Sequence, residues 1–319
     1  MRFIYGWNSE RMEFAPQEFA AALTALIAPV LDAAGRAQPV WLLIALVVHS
    51  ASILCRVRVW QLLLRAALPR HTVSFRAALA PYLGSVAANV VAPMRGGDAV
   101  RIALARRTLP DARPVAVLAT LAAEAIPGLV VVPLLCAFAL LLGVLPVSPG
   151  LASLVMAGGA ALALAAWRVS RLVGLRRRTG RLGRLLADLA SGLRLVGSPV
   201  RFARTVGPLT ALDWTLRIAM ITCLLAAFHL GPNAAAAVAV VSIDSLTTML
   251  PVLPNGAGAQ QAAIAGGLHV HASATSLVAF SAGTQLLVGV ANALAGVLAL
   301  ALMPSRERAP AVPSGVAAG

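Results

Sequence analysis

The chain has 319 residues, 60% of them hydrophobic and 12% charged, with a mean hydropathy of +0.86. Soluble domains carry about 25% charged residues, so this composition excludes a water-soluble fold and points to a polytopic membrane protein. The formal charge is +15 and every basic residue is Arg; these arginines fall in loops between apolar runs rather than on a soluble domain with aromatic partners, which argues against nucleic acid and for the cytoplasmic face of a cell membrane with its anionic headgroups.

The first fifteen residues hold Arg2, Glu10, Arg11 and Glu13 and no apolar core ending in a cleavage site, so they do not read as a signal peptide. Residues 18–34 are Ala- and Leu-rich but short, interrupted by Pro29, and are open to two readings, an interfacial helix or a span. Residues 1–38 are therefore set apart from a transmembrane domain at 39–303. The apolar run 39–55, continuing less strictly to Leu64, is long enough to cross. Arg56, Arg58, Arg65, Arg70 and Arg76 follow it and mark that end as cytoplasmic.

Residues 77–94 are only moderately apolar and contain Pro81, Gly84, Ser85 and Asn89. Arginines at both ends put both ends on one side, which a single span cannot do and a re-entrant hairpin can; broken backbone at membrane depth implies a polar cavity or a protein cover. Pro93 stops the apolar segment, Gly96 and Gly97 let the backbone turn, and a short helix starts near Asp98. Asp98 lies in its first turn and Arg106 and Arg107 in its last, the order that the helix dipole favours, while Asp98 and Arg101 share a face. Arg95 and Arg101 beside a Gly-Gly turn make a candidate phosphate site, with Asp98 orienting Arg101. The plainer reading is a juxtamembrane turn whose arginines only set topology.

Residues 114–145 are apolar apart from Glu124 and exceed the roughly 20 residues that one straight span needs, so an interfacial first turn and one bent span are expected, with Pro127 and Gly128 at the bend. Ser148-Pro149-Gly150 is an outside turn and 151–167 returns. The stretch 168–206 holds ten arginines and one acid, Asp188, and is expected on the cytoplasmic side, in part as an amphipathic helix. Residues 207–230 cross with Asp213 and Arg217 four apart on one face. A charge at mid-bilayer costs roughly 2.5–3.5 kcal/mol, so the two should pair or face a cavity, unless they sit at the interface and snorkel. Asp244 lies within 233–253, a break follows at Pro254-Asn255-Gly256-Ala257-Gly258, and the last span, 276–302, carries Gln285 and Asn292. Residues 304–319, rich in Pro, Ala and Gly, read as a disordered cytoplasmic tail. Cys55, Cys136 and Cys223 are far apart, and His269 and His271 have no nearby carboxylate or Cys, so neither a disulfide framework nor a metal or other cofactor is expected.

A shift of 161 residues carries Pro93 onto Pro254 and Gly97 onto Gly258. Three spans separate the two units, at about 125–145, 151–167 and 207–230, and an odd number inverts the second relative to the first. The expected fold is all-α, a polytopic helical bundle with two inverted repeats, each containing a broken or re-entrant segment.

Residues 85–101, Ser-Val-Ala-Ala-Asn-Val-Val-Ala-Pro-Met-Arg-Gly-Gly-Asp-Ala-Val-Arg, together with 56–64, Arg-Val-Arg-Val-Trp-Gln-Leu-Leu-Leu, and 253–261, Leu-Pro-Asn-Gly-Ala-Gly-Ala-Gln-Gln, resemble the flippase-like transmembrane region of the lysylphosphatidylglycerol synthase family. The resemblance covers residues 40–302. It implies a protein that moves an anionic or aminoacylated phospholipid, or a lipid-linked glycan, between leaflets; the family's synthase domain would follow the membrane region and is not encoded in these residues. Against the family pattern, the acidic-basic pair expected at Glu124-Ala125 keeps only the acid, the Glu expected at 261 is Gln261, and the Arg expected in the last span is Gln285. A neutral pair in place of an ion pair implies a less charged headgroup, if those two positions meet.

Three functions are compared. The first is a lipid translocator, a transporter rather than an enzyme, whose partner is a membrane lipid with a phosphate headgroup. Its candidate substrate-binding residues are Asn89, Arg95, Gly96, Gly97, Asp98, Arg101, Glu124, Asp213, Arg217, Asp244, Asn255, Gly256, Gly258, Gln261 and Gln285. The second is a scaffold or accessory subunit for a separate lipid or glycan synthase, docked through the basic stretch 168–206. The third is a membrane enzyme acting on a lipid phosphate, against which stands the lack of any compact His, Asp or Cys constellation; no catalytic residue is assigned.

Overall fold

The computed structural model describes residues 35–70, 72–91, 96–109, 112–143, 149–175, 180–249 and 273–303, with Asp32 and Ile264. These residues form helices and no strands: α1 (Pro39–Ala67), α2 (Phe75–Val91), α3 (Gly96–Thr108), α4 (Pro114–Leu141), α5 (Pro149–Leu175), α6 (Gly180–Gly192), α7 (Pro199–Ala227), α8 (Ala234–Met249) and α9 (Ala274–Leu302). Residues 18–31, the Pro93 and Pro254 breaks and the tail 304–319 lie outside the described residues, as do Arg95, Asn255, Gly256, Gly258 and Gln261.

Among the described residues, four helices are long and apolar enough to cross a membrane, within α1, α4, α7 and α9. α1 spans 29 residues, about 43 Å at 1.5 Å per residue, more than the ~30 Å hydrocarbon layer requires. Proline opens α1, α4 and α7 in the first turn, where its missing N–H would have no intrahelical partner in any case. Gly143 after α4 and Gly231 after α7 take positive φ (68° and 77°), a region that side chains disfavour, and so let the chain leave the helix.

Residues 75–91 form one continuous helix, and the reversal expected within 77–94 lies instead between α2 and α3. The 17 residues of α2 reach about 25 Å, short of a full span. α3 packs back along α2 as an antiparallel hairpin: Gly97 N donates to Asn89 Oδ1 at 2.9 Å near the closed end, and Thr108 Oγ1 donates to Ala77 O at 2.9 Å near the open end. Gly97 is required there, because a Cβ would collide with the Ser85 carbonyl oxygen and the Asn89 side chain.

The helix pattern of the first half returns in the second. α1 and α7 are both 29 residues, α2 and α8 are 17 and 16, and α4 and α9 are 28 and 29, in the same order and at close to the shift that joins Pro93 to Pro254. α1 and α7 pack along their length in opposite directions, with Gln38 N donating to Ala227 O at 2.9 Å at one end and Val59 and Leu63 beside Val206 towards the other. α2 packs on α9, where Gly296 meets Ala87 with no space for a Cβ, and its counterpart α8 packs on α4. One apolar core gathers around α8 through Leu224, Val240 and Phe280; another gathers around the hairpin through Trp60, Tyr82 and Ala105. The basic stretch 168–206 is largely helical, and α6 within it lies against α4, with Gly192 closing on Ala119 and Asp188 accepting from Arg113 at 2.9 Å.

Candidate functional site

Arginine 101 is buried, with 6% of its surface exposed. α2 supplies Tyr82 and Ser85 one turn apart, α1 supplies Trp60, and α4 supplies Glu124 and Thr120, so that three helices close around the one guanidinium that α3 presents. Its NH1 donates to Glu124 Oε2 and its Nε to Ser85 Oγ at 3.1 Å. The guanidinium carbon stands 4.0 Å from the Tyr82 ring centre and 5.0 Å from that of Trp60, within cation–π range. The outer groups are satisfied in turn: Tyr82 OH donates to Glu124 Oε1 at 3.0 Å, and Trp60 Nε1 donates to Thr120 Oγ1 at 3.0 Å. Arg101 therefore pairs with Glu124, 23 residues away, and not with Asp98 on its own helix. The cage turns its charge inward and ties the α2–α3 hairpin to α1 and α4.

A second polar cluster surrounds a cavity of about 210 Å³, to which α1, α2, α7, α8 and α9 all contribute. The spacing of four does place Asp213 and Arg217 on one face of α7, but each finds its partner on another helix. Asp213 accepts from Ser52 Oγ at 2.5 Å and stands 3.4 Å from Arg56 Nε, both on α1, while Arg217 NH2 lies 3.4 Å from Asp244 Oδ2 on α8. Arg217 also stacks over Trp214, 4.5 Å from the ring centre. On the far wall His49 Nε2 donates to Asn292 Oδ1 at 2.9 Å, linking α1 to α9 beside Gln285 and Thr284. Val86, Ile221, Val241 and Val288 complete an apolar part of the lining.

The engagement of these charges is uneven. The Asp213 side chain is 8% exposed, whereas Arg56, Arg217 and Asp244 keep 32%, 26% and 30% of theirs open, towards the cavity they line. A guanidinium carries five N–H donors. Among the described residues Arg56 makes no hydrogen bond; its buried Nε has only the ion-pair contact with Asp213, and the Thr284 hydroxyl is likewise buried without a partner.

Of the sequence-derived candidates, Arg217, Asp244 and Gln285 line this cavity and Asp213 stands behind it. Asn89, Gly96, Gly97, Asp98, Arg101 and Glu124 belong to the hairpin and its cage. Arg56 is not among those candidates: the sequence groups it with the arginines after the first apolar run, and the structure places it in the cavity lining. His49, Ser52, Thr284 and Asn292 were missed as well. A signal for Arg56 was present, since the shift of 161 that aligns the two Pro breaks also carries Arg56 onto Arg217, Ser52 onto Asp213 and Glu124 onto Gln285.

A family profile described as the lysylphosphatidylglycerol synthase TM region matches residues 18–308. The chain belongs to this family. The match takes in both clusters and extends beyond residues 40–302 at each end, and with the four apolar helices it makes the protein a multi-pass membrane protein of a family related to lipid modification or translocation. No curated protein and no solved structure matches the chain.

Proposed function

We propose that the protein translocates a phospholipid between the leaflets of the cell membrane and that the cavity between α1, α7, α8 and α9 receives the headgroup. The observation that carries this reading is Arg56, a cation inside a helical bundle that lines a polar cavity and, among the described residues, makes no hydrogen bond, its Nε standing 3.4 Å from Asp213. A buried cation without a full set of acceptors is costly, and a phosphate supplies several. The antiparallel α1–α7 pair, with Arg56 and Arg217 in equivalent positions, supports an inverted repeat whose site sits at the join, the arrangement that alternating access uses. In this reading the α2–α3 hairpin is re-entrant and the arginine-rich segment 168–206 and the C-terminus face the cytoplasm.

Reconstitution tests the proposal. Vesicles carrying an acyl-labelled phospholipid should lose leaflet asymmetry faster with the protein than without it, and an Arg56→Gln, Arg217→Gln double variant at equal protein amount should be at least about tenfold slower, as expected for the loss of charge-assisted hydrogen bonds. Equal rates for the two proteins would refute the headgroup assignment.

A further inference from the structure

The shift of 161 residues that aligns the two Pro breaks carries Ser52 onto Asp213, and these two residues touch: Ser52 Oγ donates to Asp213 Oδ1 at 2.5 Å. Residues that a two-fold axis exchanges meet only on that axis, so in an inverted repeat this contact marks the centre of the antiparallel α1–α7 pair. One turn further along each helix stand Arg56 and Arg217, which the same shift superposes and which line one cavity. Asp213 is thus within reach of both arginines, 3.4 Å from Arg56 across the helix pair and one turn from Arg217 on its own face. We infer that Asp213 is a positioning residue for translocation, the counter-ion of Arg56 in the empty site and of Arg217 once Arg56 holds the headgroup phosphate; this rests on the translocator reading above.

The two halves differ in what else they offer the arginines. Arg217 has Asp244 of α8 at 3.4 Å, whereas the residue that the shift carries onto Asp244 is Leu83 of α2, an apolar side chain. A phosphate arriving at Arg56 competes with Asp213 for one guanidinium, and two anions at close range repel each other. Asp213 is not left uncompensated: it keeps the Ser52 hydroxyl, and Arg217, with five N–H donors, can reach it along α7 without giving up Asp244. Asp244 in turn has interactions besides Arg217. Each carboxylate therefore keeps a partner while the phosphate is bound, and the return of Asp213 to Arg56 displaces the phosphate. A permeation site has to bind well enough to admit its ligand and weakly enough to let it leave, and a competing carboxylate supplies the second half of that requirement.

The test uses the full chain in vesicles of phosphatidylethanolamine and phosphatidylglycerol in equal parts, with acyl-labelled phosphatidylglycerol as tracer. Two quantities are read for each variant: the rate of tracer movement, and the phosphatidylglycerol retained by the purified protein, by mass spectrometry. Asp213→Asn, which keeps the shape and an acceptor for Ser52, should raise retention and lower the rate, each by about tenfold, the order of one charge-assisted contact. A carboxylate that served only the packing of α1 on α7 would, on removal, lower both. Moving the carboxylate across the axis, with Ser52→Asp and Asp213→Ser together, should bring both quantities back towards the parent. Any other pairing of retention and rate in Asp213→Asn overturns the inference, as does an exchange variant that unfolds like the parent yet moves the tracer no faster than Asp213→Asn; the translocator reading then stands, because the parent still moves the tracer. Where the exchange variant does not fold, Asp213→Asn decides alone. A parent that moves no tracer overturns both.

Discussion

Arg101 and Arg56 lie inside the same bundle and differ in what completes them. Arg101 is enclosed by groups that answer one another, Glu124 by Tyr82 and Trp60 by Thr120, so its charge is neutralised within the fold. Arg56 has a single carboxylate at 3.4 Å and a cavity in front of it. A membrane-buried cation is therefore not by itself a ligand site: Arg101 has its partners within the fold, whereas the headgroup role proposed for Arg56 rests on its lack of hydrogen bonds among the described residues.

The largest effect should come from breaking the cage. Arg101→Leu leaves Glu124 buried without its partner, and removing one member of a buried pair typically costs about 3–5 kcal/mol. Thermal unfolding of the detergent-solubilised variant should show a marked loss of stability, with Glu124→Gln milder because the amide keeps an acceptor for Tyr82. A variant as stable as the parent would remove the distinction between the two arginines. Arg56→Gln is expected to lose less stability than Arg101→Leu, because Asp213 keeps its hydrogen bond from Ser52, while lipid retention, measured by mass spectrometry of the purified protein, falls roughly tenfold. Unfolding of Arg56→Gln together with unchanged lipid retention would make it a second structural arginine.

Gly97→Ala probes the hairpin without touching either charge cluster. Its new methyl group meets the Ser85 carbonyl and the Asn89 amide, so the closed end must spread, at about 1–3 kcal/mol for overpacking. Because Ser85 also accepts from Arg101, the strain should reach the cage and add less than independently to Arg101→Leu in a double-mutant cycle. Full additivity would show that hairpin and cage are separate.

Much of the architecture was legible because it follows from local chemistry. Apolar runs ending at prolines, glycines and arginine clusters gave the long helices, and Pro93 with Gly96 and Gly97 marked the reversal that separates α2 from α3. Side-chain pairing was not legible, because the nearest oppositely charged residue in sequence was not the partner in space. Asp98 with Arg101 and Asp213 with Arg217 have helical spacing, yet Glu124 answers Arg101, Ser52 and Arg56 answer Asp213, and Asp244 answers Arg217. Exposed i,i+4 pairs stabilise by only about 0.3–0.5 kcal/mol, so a tertiary partner that satisfies more donors readily displaces them. Arg56 was obscured by a rule that holds for loops, since it follows an apolar run in sequence but α1 continues through it to Ala67.

The smallest predicted difference compares two neutral hydrogen bonds of similar length, one in each region. Trp60 Nε1 donates to Thr120 at 3.0 Å in a cage where both residues are fully buried, and His49 Nε2 donates to Asn292 at 2.9 Å on the wall of the cavity. Thr120→Val preserves shape and removes the acceptor, leaving the indole N–H buried, which costs about 1–3 kcal/mol for an unsatisfied group. Asn292→Ala also removes an acceptor, but a cavity of about 210 Å³ has room for water to take its place, so only the modest net worth of a hydrogen bond, about 0.5–1.5 kcal/mol, should be lost. Parallel thermal unfolding in one detergent would measure the difference. Thr120→Val should be the less stable variant, and equal losses would mean that the His49 wall is as dry as the cage, which would count against the headgroup site proposed for the cavity.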